Sequence, residues 1–100
     1  MTDLPVACCL PPAELAQRER EIRALFADAL EGVRREPRRL ELRFADGASA
    51  RVQALAEAER RCCAFLTFET VGSGLVIEAP AGAEDTLEGF AAVARETLHA

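Results

Sequence analysis

The stretch "FLTFETVGSGLVIEA", Phe65 to Ala79, contains two short apolar segments separated by three small residues. The segments "FLTFETV" and "GLVIEA" each have one apolar face, and Gly72-Ser73-Gly74 between them is typical of a hairpin turn. The turn is not a phosphate-binding loop, because a strand follows it where a helix would be required. We therefore predict an antiparallel hairpin in this part of the chain.

A second hairpin is predicted upstream, around "RLELRFADG". Its apolar side chains alternate with charged ones, as they do in a strand with one buried face. The apolar set is Leu40, Leu42 and Phe44. Asp46-Gly47 is a strong hairpin-turn signal, so we predict a return strand over about Ala48 to Val52.

The remaining segments predict one more strand and three helices. Val6 to Leu10 has the pattern of a short strand, which Pro11 and Pro12 end before a first helix begins. That helix is expected to end near Gly32 and Pro37, with a buried stripe of Leu15, Ile22, Phe26, Ala29, Leu30 and Val33. A second helix spans about Gln53 to Cys63, with Leu55, Ala58 and Cys62 on one face. The third spans about Glu84 to His99, with a buried stripe of Leu87, Phe90, Ala91, Ala94 and Leu98.

The predicted order is therefore β-α-β-β-α-β-β-α. Hairpins with one apolar face form antiparallel sheets that helices cover on one side. We expect an α+β fold: a two-layer sandwich with a mainly antiparallel sheet of four to five strands and helices on one face. A chain of 100 residues has enough apolar surface for one core, so residues 1–100 are expected to form a single domain.

The composition limits the classes of function. The net charge of −5 argues against nucleic-acid binding by this chain alone, because phosphate contacts need clustered positive charge. The basic segment "RREPRR", Arg34 to Arg39, is expected to be a solvated link between a helix and a strand. No apolar run is long enough to cross a membrane, and the first residues lack a secretory pattern, so we expect a cytoplasmic protein without a membrane partner.

The cysteines are the residues best suited to carry a chemical function. Cys62 and Cys63 are adjacent near the predicted end of a helix, where a disulfide between neighbours would distort the peptide that joins them. Glu59 precedes them by three and four residues, which places its carboxylate beside both thiols on the helix surface. Thiolates bind soft ions, and the inward face of the first strand makes Cys8 a candidate third ligand, whereas Cys9 faces the other way.

Three functions remain open for these thiols. Free cysteine is often buried as a small apolar residue, so Cys8 and Cys62 can be core residues of an interaction module. Cys62 or Cys63 can instead attack as a redox thiol that Cys8 resolves. In the third function the thiols bind a soft metal or metalloid, with Glu59 as a weak fourth group. The spacing of the cysteines does not decide whether the protein is an enzyme. No Cys-His arrangement is visible in the sequence, so cysteine-protease catalysis would lack its base.

The segments "ACCL", "LELRFADG" and "ERRCCAFLTFE" resemble a group of small, uncharacterised bacterial proteins. Their pattern is A-C-x-L near the start and E-R-x-C-C-x-F later, and some are associated with regulators of the mercury-responsive type. The chain departs from this pattern at Ala64, where proline is common, and at Cys9, where a hydroxyl residue is usual. The matching positions are Cys8, Glu59, Arg60, Cys62, Cys63, Phe65 and Phe68. The resemblance implies a thiol site of Cys8, Cys62 and Cys63.

The sequence thus favours a cytoplasmic binding protein for mercury, arsenic, copper(I) or zinc ions, acting in sensing, sequestration or hand-off. The metal ligands are predicted to be Cys8, Cys62, Cys63 and Glu59. A regulator protein or a second copy of the chain are the candidate macromolecular partners. Phe44, Phe65 and Phe68 are expected to be core residues or an apolar wall near the thiols.

Overall fold

The computed structural model describes residues 12–62 and 65–99. Within these ranges the elements are α1 (Pro12–Ala29), β1 (Leu30–Glu36), β2 (Arg39–Phe44), a short 3-10 helix (Asp46–Ala48), α2 (Ser49–Cys62), β3 (Thr67–Val71), β4 (Gly74–Glu78) and α3 (Glu84–Leu98). The predicted strand at residues 6–10 lies outside the described residues. From the first helix onward, the predicted order of helices and strands is confirmed.

The four described strands form one antiparallel sheet in the order β1-β2-β4-β3. Side chains on one face of the two central strands are buried: Leu40, Leu42, Leu75 and Ile77. Charged residues such as Arg43 and Glu78 alternate with them and are exposed on the other face. The buried face shares one core with the three helices, for example through the ring contact of Phe68 with Phe90. The predicted α+β architecture, a helical layer on one sheet face, is therefore confirmed.

The hairpin predicted from Gly72-Ser73-Gly74 is confirmed. β3 and β4 pair from Thr67↔Glu78 to Val71↔Gly74, which leaves Gly72 and Ser73 as the turn. Gly72 has a φ of 59°, a left-handed conformation that glycine adopts without steric cost.

The other predicted hairpin was placed wrongly. β2 pairs with the preceding residues 30–36, through a turn at Pro37 and Arg38, and not with residues 48–52. Asp46-Gly47 belongs to the 3-10 helix that leads into α2. Residues after Phe44 are helical because Ala48, Val52 and Ala56 repeat every four residues and bury one stripe against the core.

Consequently the first helix is shorter than predicted and ends at Ala29. Leu30 and Val33, expected on its buried stripe, belong to β1, where Leu30 is buried and Val33 packs against the core. Ile22 and Phe26 are buried as predicted. The side chain of Leu15 lies outside the described part of the structure.

The buried face of α3 agrees with the prediction at Leu87, Phe90, Ala91 and Ala94. Leu98 is the exception, with 36% of its surface exposed at the end of the helix, and Val93 is buried although it was not predicted. Among the described residues, no helix combines the length and the apolar character that crossing a membrane requires.

The segment "RREPRR" is not a solvated link. Arg34 and Arg35 lie in β1, and Arg39 begins β2. Arg35 is on the inward side, where its guanidinium donates to the backbone carbonyl of Glu84 at 3.3 Å and lies 3.4 Å from a carboxylate oxygen of Glu88. Arg35 therefore joins β1 to α3.

Candidate functional site

The candidate site lies at the end of α2, where the chain carries Glu59, Arg60, Arg61 and Cys62. Cys62 is the last helical residue, and its side chain lies outside the described part of the structure. Cys8, Cys9 and Cys63 also lie outside the described residues. Glu59 is the one predicted ligand whose side chain the structure describes.

Glu59 lies in the core, with 1% of its surface exposed. The prediction had placed its carboxylate on the helix surface, and this was wrong. Its position follows from the buried stripe of α2, in which Val52, Ala56 and Glu59 succeed one another at intervals of four and three residues. Leu55 and Ala58, expected on the buried face, are only half-buried, so the helix is rotated toward Glu59 relative to the prediction.

Arg18 of α1 is the ionic partner of Glu59. The Nη1 atom of Arg18 lies 2.8 Å from Oε1 of Glu59, and 18% of the arginine side chain is exposed. A charge-assisted hydrogen bond of this length fits a buried carboxylate, which would otherwise be strongly destabilising. The pair joins α1 to α2 at a position three residues before Cys62 in the sequence.

The second oxygen of Glu59 has a different environment. Oε2 is buried, and within residues 12–62 and 65–99 no hydrogen-bond donor reaches it. Burial raises the pKa of Glu59 above its ordinary value, while the hydrogen bond and charge of Arg18 act in the opposite direction. Buried polar atoms are nearly always bonded, so a donor or cation for Oε2 would have to come from outside the described ranges.

Arg60 ties the same helix end to the sheet. Its Nε and Nη2 atoms donate to the backbone carbonyl of Phe68, at 3.0 and 2.5 Å. Phe68 belongs to β3, so these bonds connect a residue two positions before the cysteine pair with a residue five positions after it. Together with the Arg18–Glu59 pair, these bonds hold the last turn of α2 against both α1 and β3.

The three phenylalanines predicted to be core residues or an apolar wall differ in their exposure. Phe44 and Phe68 are buried core residues, in contact with Phe26 and Phe90 respectively. Phe65 follows the cysteines and has 45% of its surface exposed. Phe65 is therefore the aromatic residue of this set that remains accessible from solvent.

Within the part of the chain that the structure describes, no three His, Cys, Asp or Glu side chains form a cluster suited to a metal ion. The residue that sequence reasoning missed is Arg18. It lies 41 residues before Glu59 in the sequence. The helical repeat of α1 places it on the predicted exposed face, together with other charged residues. The signal that could have revealed it is Glu59 on the buried stripe of α2, because a buried carboxylate requires a compensating charge.

No protein-family model matches the chain, and no curated protein or solved structure has significant similarity to it.

Proposed function

We propose that the chain binds one thiophilic metal or metalloid ion through Cys62, Cys63 and Cys8, with Glu59 as a weak fourth ligand or as a group that neutralises charge beside the ion. Two or three thiolates suit mercuric, arsenite, copper(I) and zinc species. A bound cation would also hold the thiols in their deprotonated form. The proposal therefore needs no permanently activated cysteine.

The observation that supports this proposal best is the Oε2 atom of buried Glu59, which has no hydrogen-bond partner among the described residues. Glu59 lies three residues before Cys62 in the same helix. Residues three apart on a helix are neighbours on its surface. A cation at the thiols would give Oε2 a partner in addition to Arg18, one that residues 12–62 and 65–99 do not supply to this oxygen. In a purely structural helix end, an apolar residue at position 59 would be less costly than a carboxylate.

The fixed position of the helix end is a second support. Binding sites need ligands that are held close to their productive geometry by surrounding contacts. The Arg18–Glu59 pair and the bonds from Arg60 to Phe68 provide such contacts for the helical turn that precedes Cys62 in the sequence.

We place this activity in the cytoplasm, where thiols remain reduced and clustered cysteines serve metal or redox chemistry more often than structural disulfides. The role would be sensing, sequestration or hand-off in a metal-resistance system. A regulator protein or a second copy would receive the signal or the ion.

Native mass spectrometry of protein purified under reducing conditions tests the proposal. The chain should carry one equivalent of a soft ion after titration, with the loss of two or three reactive thiols. Binding should weaken as the pH falls, because thiols must lose protons to bind a metal. Sulfur-to-metal charge-transfer absorption should disappear in the double variant Cys62→Ser, Cys63→Ser.

Cys9→Ser is the matched control, because Cys9 is the cysteine that the proposal leaves out. Its stoichiometry should equal that of the wild type. Equal binding by the wild type and the double variant would disprove the proposal. A disulfide from Cys8 to Cys62 or Cys63 after mild oxidation, without any metal binding, would replace it with a thiol redox function.

A further inference from the structure

A groove of about 480 Å³ lies on the face of the sheet that the helices do not cover. It crosses all four described strands, because β1, β2, β4 and the end of β3 each contribute to its lining. Its outward side chains include Arg34, Arg39, Glu41, Arg43, Val71 and Val76. The function proposed so far does not use this groove.

Two glycines leave space at the end of the groove near the β3–β4 turn. The strand register places Gly32 and Gly74 on either side of Arg43, in one row across the sheet, and Val71 completes this row on β3. Side chains in such a row normally pack against one another. Arg43 therefore has neighbouring positions without side chains on both of its sides. The next row, by contrast, carries a side chain on every strand: Arg34, Glu41, Val76 and Glu69.

The side chain of Arg43 lies over Gly32. A Cβ atom at position 32 would be 2.8 Å from the Nη2 atom of Arg43, and this Nη2 donates to the backbone carbonyl of Glu31 at 3.3 Å. These contacts hold the guanidinium on the β1 side of the groove. On the other side, no described side chain lies within 4 Å of the place that a Cβ of Gly74 would occupy.

Arg43 differs from the other arginines of the groove in its partners. Arg34 lies 3.4 Å from a carboxylate oxygen of Glu36, and Arg39 lies 3.0 Å from one of Glu41. Within residues 12–62 and 65–99, Arg43 forms no ion pair with a carboxylate. A guanidinium has five N–H donors in a planar fork that matches a carboxylate, so Arg43 has donors available for an anion from solution.

The charge distribution of the chain favours an anion at this position. Residues 30–44, which form the β1–β2 hairpin, contain five arginines and three glutamates, whereas the rest of the chain contains seven arginines and fourteen acidic residues. A local excess of positive charge attracts anions even on a protein with a negative net charge. Glu41 is the acidic residue in the lining of the groove, and it is already paired with Arg39.

The side of the groove beyond Gly74 is apolar. Val71 has 57% of its surface exposed, and half-buried Val76 follows Gly74 by two residues on β4. Neighbouring strands lie about 4.8 Å apart, so the backbones of Gly32 and Gly74, which flank β2, are about 10 Å apart. An anion bound to Arg43 therefore lies within about one ring length of this apolar surface.

We infer that the groove binds a small organic carboxylate that carries an aromatic ring. The carboxylate pairs with the guanidinium of Arg43, and the ring lies over Gly74 against Val71 and Val76. The volume of 480 Å³ is within the range of about 300–1,000 Å³ that is typical of ligand sites. This binding is independent of the proposed metal site, because the groove contains neither a cysteine nor Glu59.

The test titrates the full-length, reduced protein with three probes and follows the backbone amide signals by heteronuclear NMR. Hydrocinnamate has both a phenyl ring and a carboxylate, hydrocinnamamide replaces the carboxylate by a neutral amide, and propanoate has no ring. Hydrocinnamate should bind about tenfold more tightly than either of the others and should shift the signals of Gly32, Ser73 and Gly74. Equal affinity for the amide would overturn the ion pair with Arg43, and equal affinity for propanoate would overturn the apolar contact. Either result refutes the inference and leaves the proposed metal site untouched.

Two variants change the groove from opposite sides: Arg43→Gln removes its free charge, and Val71→Asp places a negative charge in its apolar wall. Each should weaken hydrocinnamate binding about tenfold. The matched controls are Arg38→Gln, in the turn of the same hairpin, and Thr67→Asp, on the same strand as Val71; neither position lines the groove. All four positions are exposed, and circular dichroism checks that each variant folds. Equal losses of affinity in variants and controls would disprove the inference.

Discussion

Replacing Arg18 by Ala removes the cation that the structure places 2.8 Å from the buried carboxylate of Glu59. Breaking a buried ion pair by deleting one partner costs about 3–5 kcal/mol, because the remaining charge is left without compensation. Since 18% of the Arg18 side chain is exposed, water can reach part of the vacated space, and we expect the lower end, about 3 kcal/mol. Domains of this size are stable by about 5–10 kcal/mol, so the loss is large.

The assay is urea denaturation followed by circular dichroism. With a slope of about 1.5 kcal/mol per molar urea, a loss of about 3 kcal/mol lowers the midpoint by about 2 M. Arg20→Ala is the matched control, because Arg20 is exposed on the same helix and bonds only locally to Gln17 among the described residues. This control should change stability by less than about 0.5 kcal/mol.

The pH dependence of the stability loss in Arg18→Ala distinguishes the loss of the ion pair from the loss of packing contacts. Burial raises the folded-state pKa of Glu59 above its unfolded value, so the protonated acid is favoured in the folded state and stability falls as the pH rises through the folded pKa. Without Arg18 this pKa rises further. The Arg18→Ala penalty should therefore be larger at about pH 8 than at about pH 5. A penalty that is the same at both values, or one below about 1 kcal/mol, would refute the assignment of Arg18 as the charge partner of buried Glu59.

Two further predictions follow from contacts elsewhere in the fold. Arg60→Ala removes both donors to the carbonyl of Phe68 and should lower the free energy of unfolding, measured by urea denaturation, by about 1.5 kcal/mol. The control Arg61→Ala changes the neighbouring exposed arginine and should lower this free energy little. Equal effects of the two variants would exclude a specific role for Arg60. Glu84 accepts hydrogen bonds from its own backbone N–H and from that of Gly82, which lower its pKa. Its contribution to stability is therefore present above its unfolded pKa and is lost as the pH falls through the lower folded pKa. Melting temperatures of Glu84→Gln should accordingly approach those of the wild type in acid and fall below them near neutral pH, and a constant difference would contradict this.

The fold could be predicted where local and tertiary signals agree. Gly72 fixes the turn of the β3–β4 hairpin, and the apolar stripe of α3 is strong enough to identify its buried face. The first hairpin could not be predicted in the same way, because Leu30 and Val33 fit both a helical stripe and a strand. Asp46-Gly47 is also compatible with both a hairpin turn and the start of a helix, and pairing of β2 with β1 decides between them.

The candidate site could be predicted only in part. The spacing of Glu59 and Cys62 follows from the sequence, and the structure places both positions in α2. The burial of Glu59 could not be foreseen, because charged residues on a helix are normally exposed and the exception depends on Arg18 of another helix. Long-range pairing of this kind is not encoded in the periodicity of either helix.

The position of Arg60 also has a consequence for how the molecule behaves in a crowded solution. Among the described strands β3 lies at one edge of the sheet, and exposed edges allow other chains to add strands and aggregate. The carbonyl oxygen of Phe68 already accepts two hydrogen bonds from the guanidinium group of Arg60. An incoming strand would have to displace a guanidinium group to use this acceptor. The contact that fixes the end of α2 therefore also protects the β3 edge from intermolecular pairing.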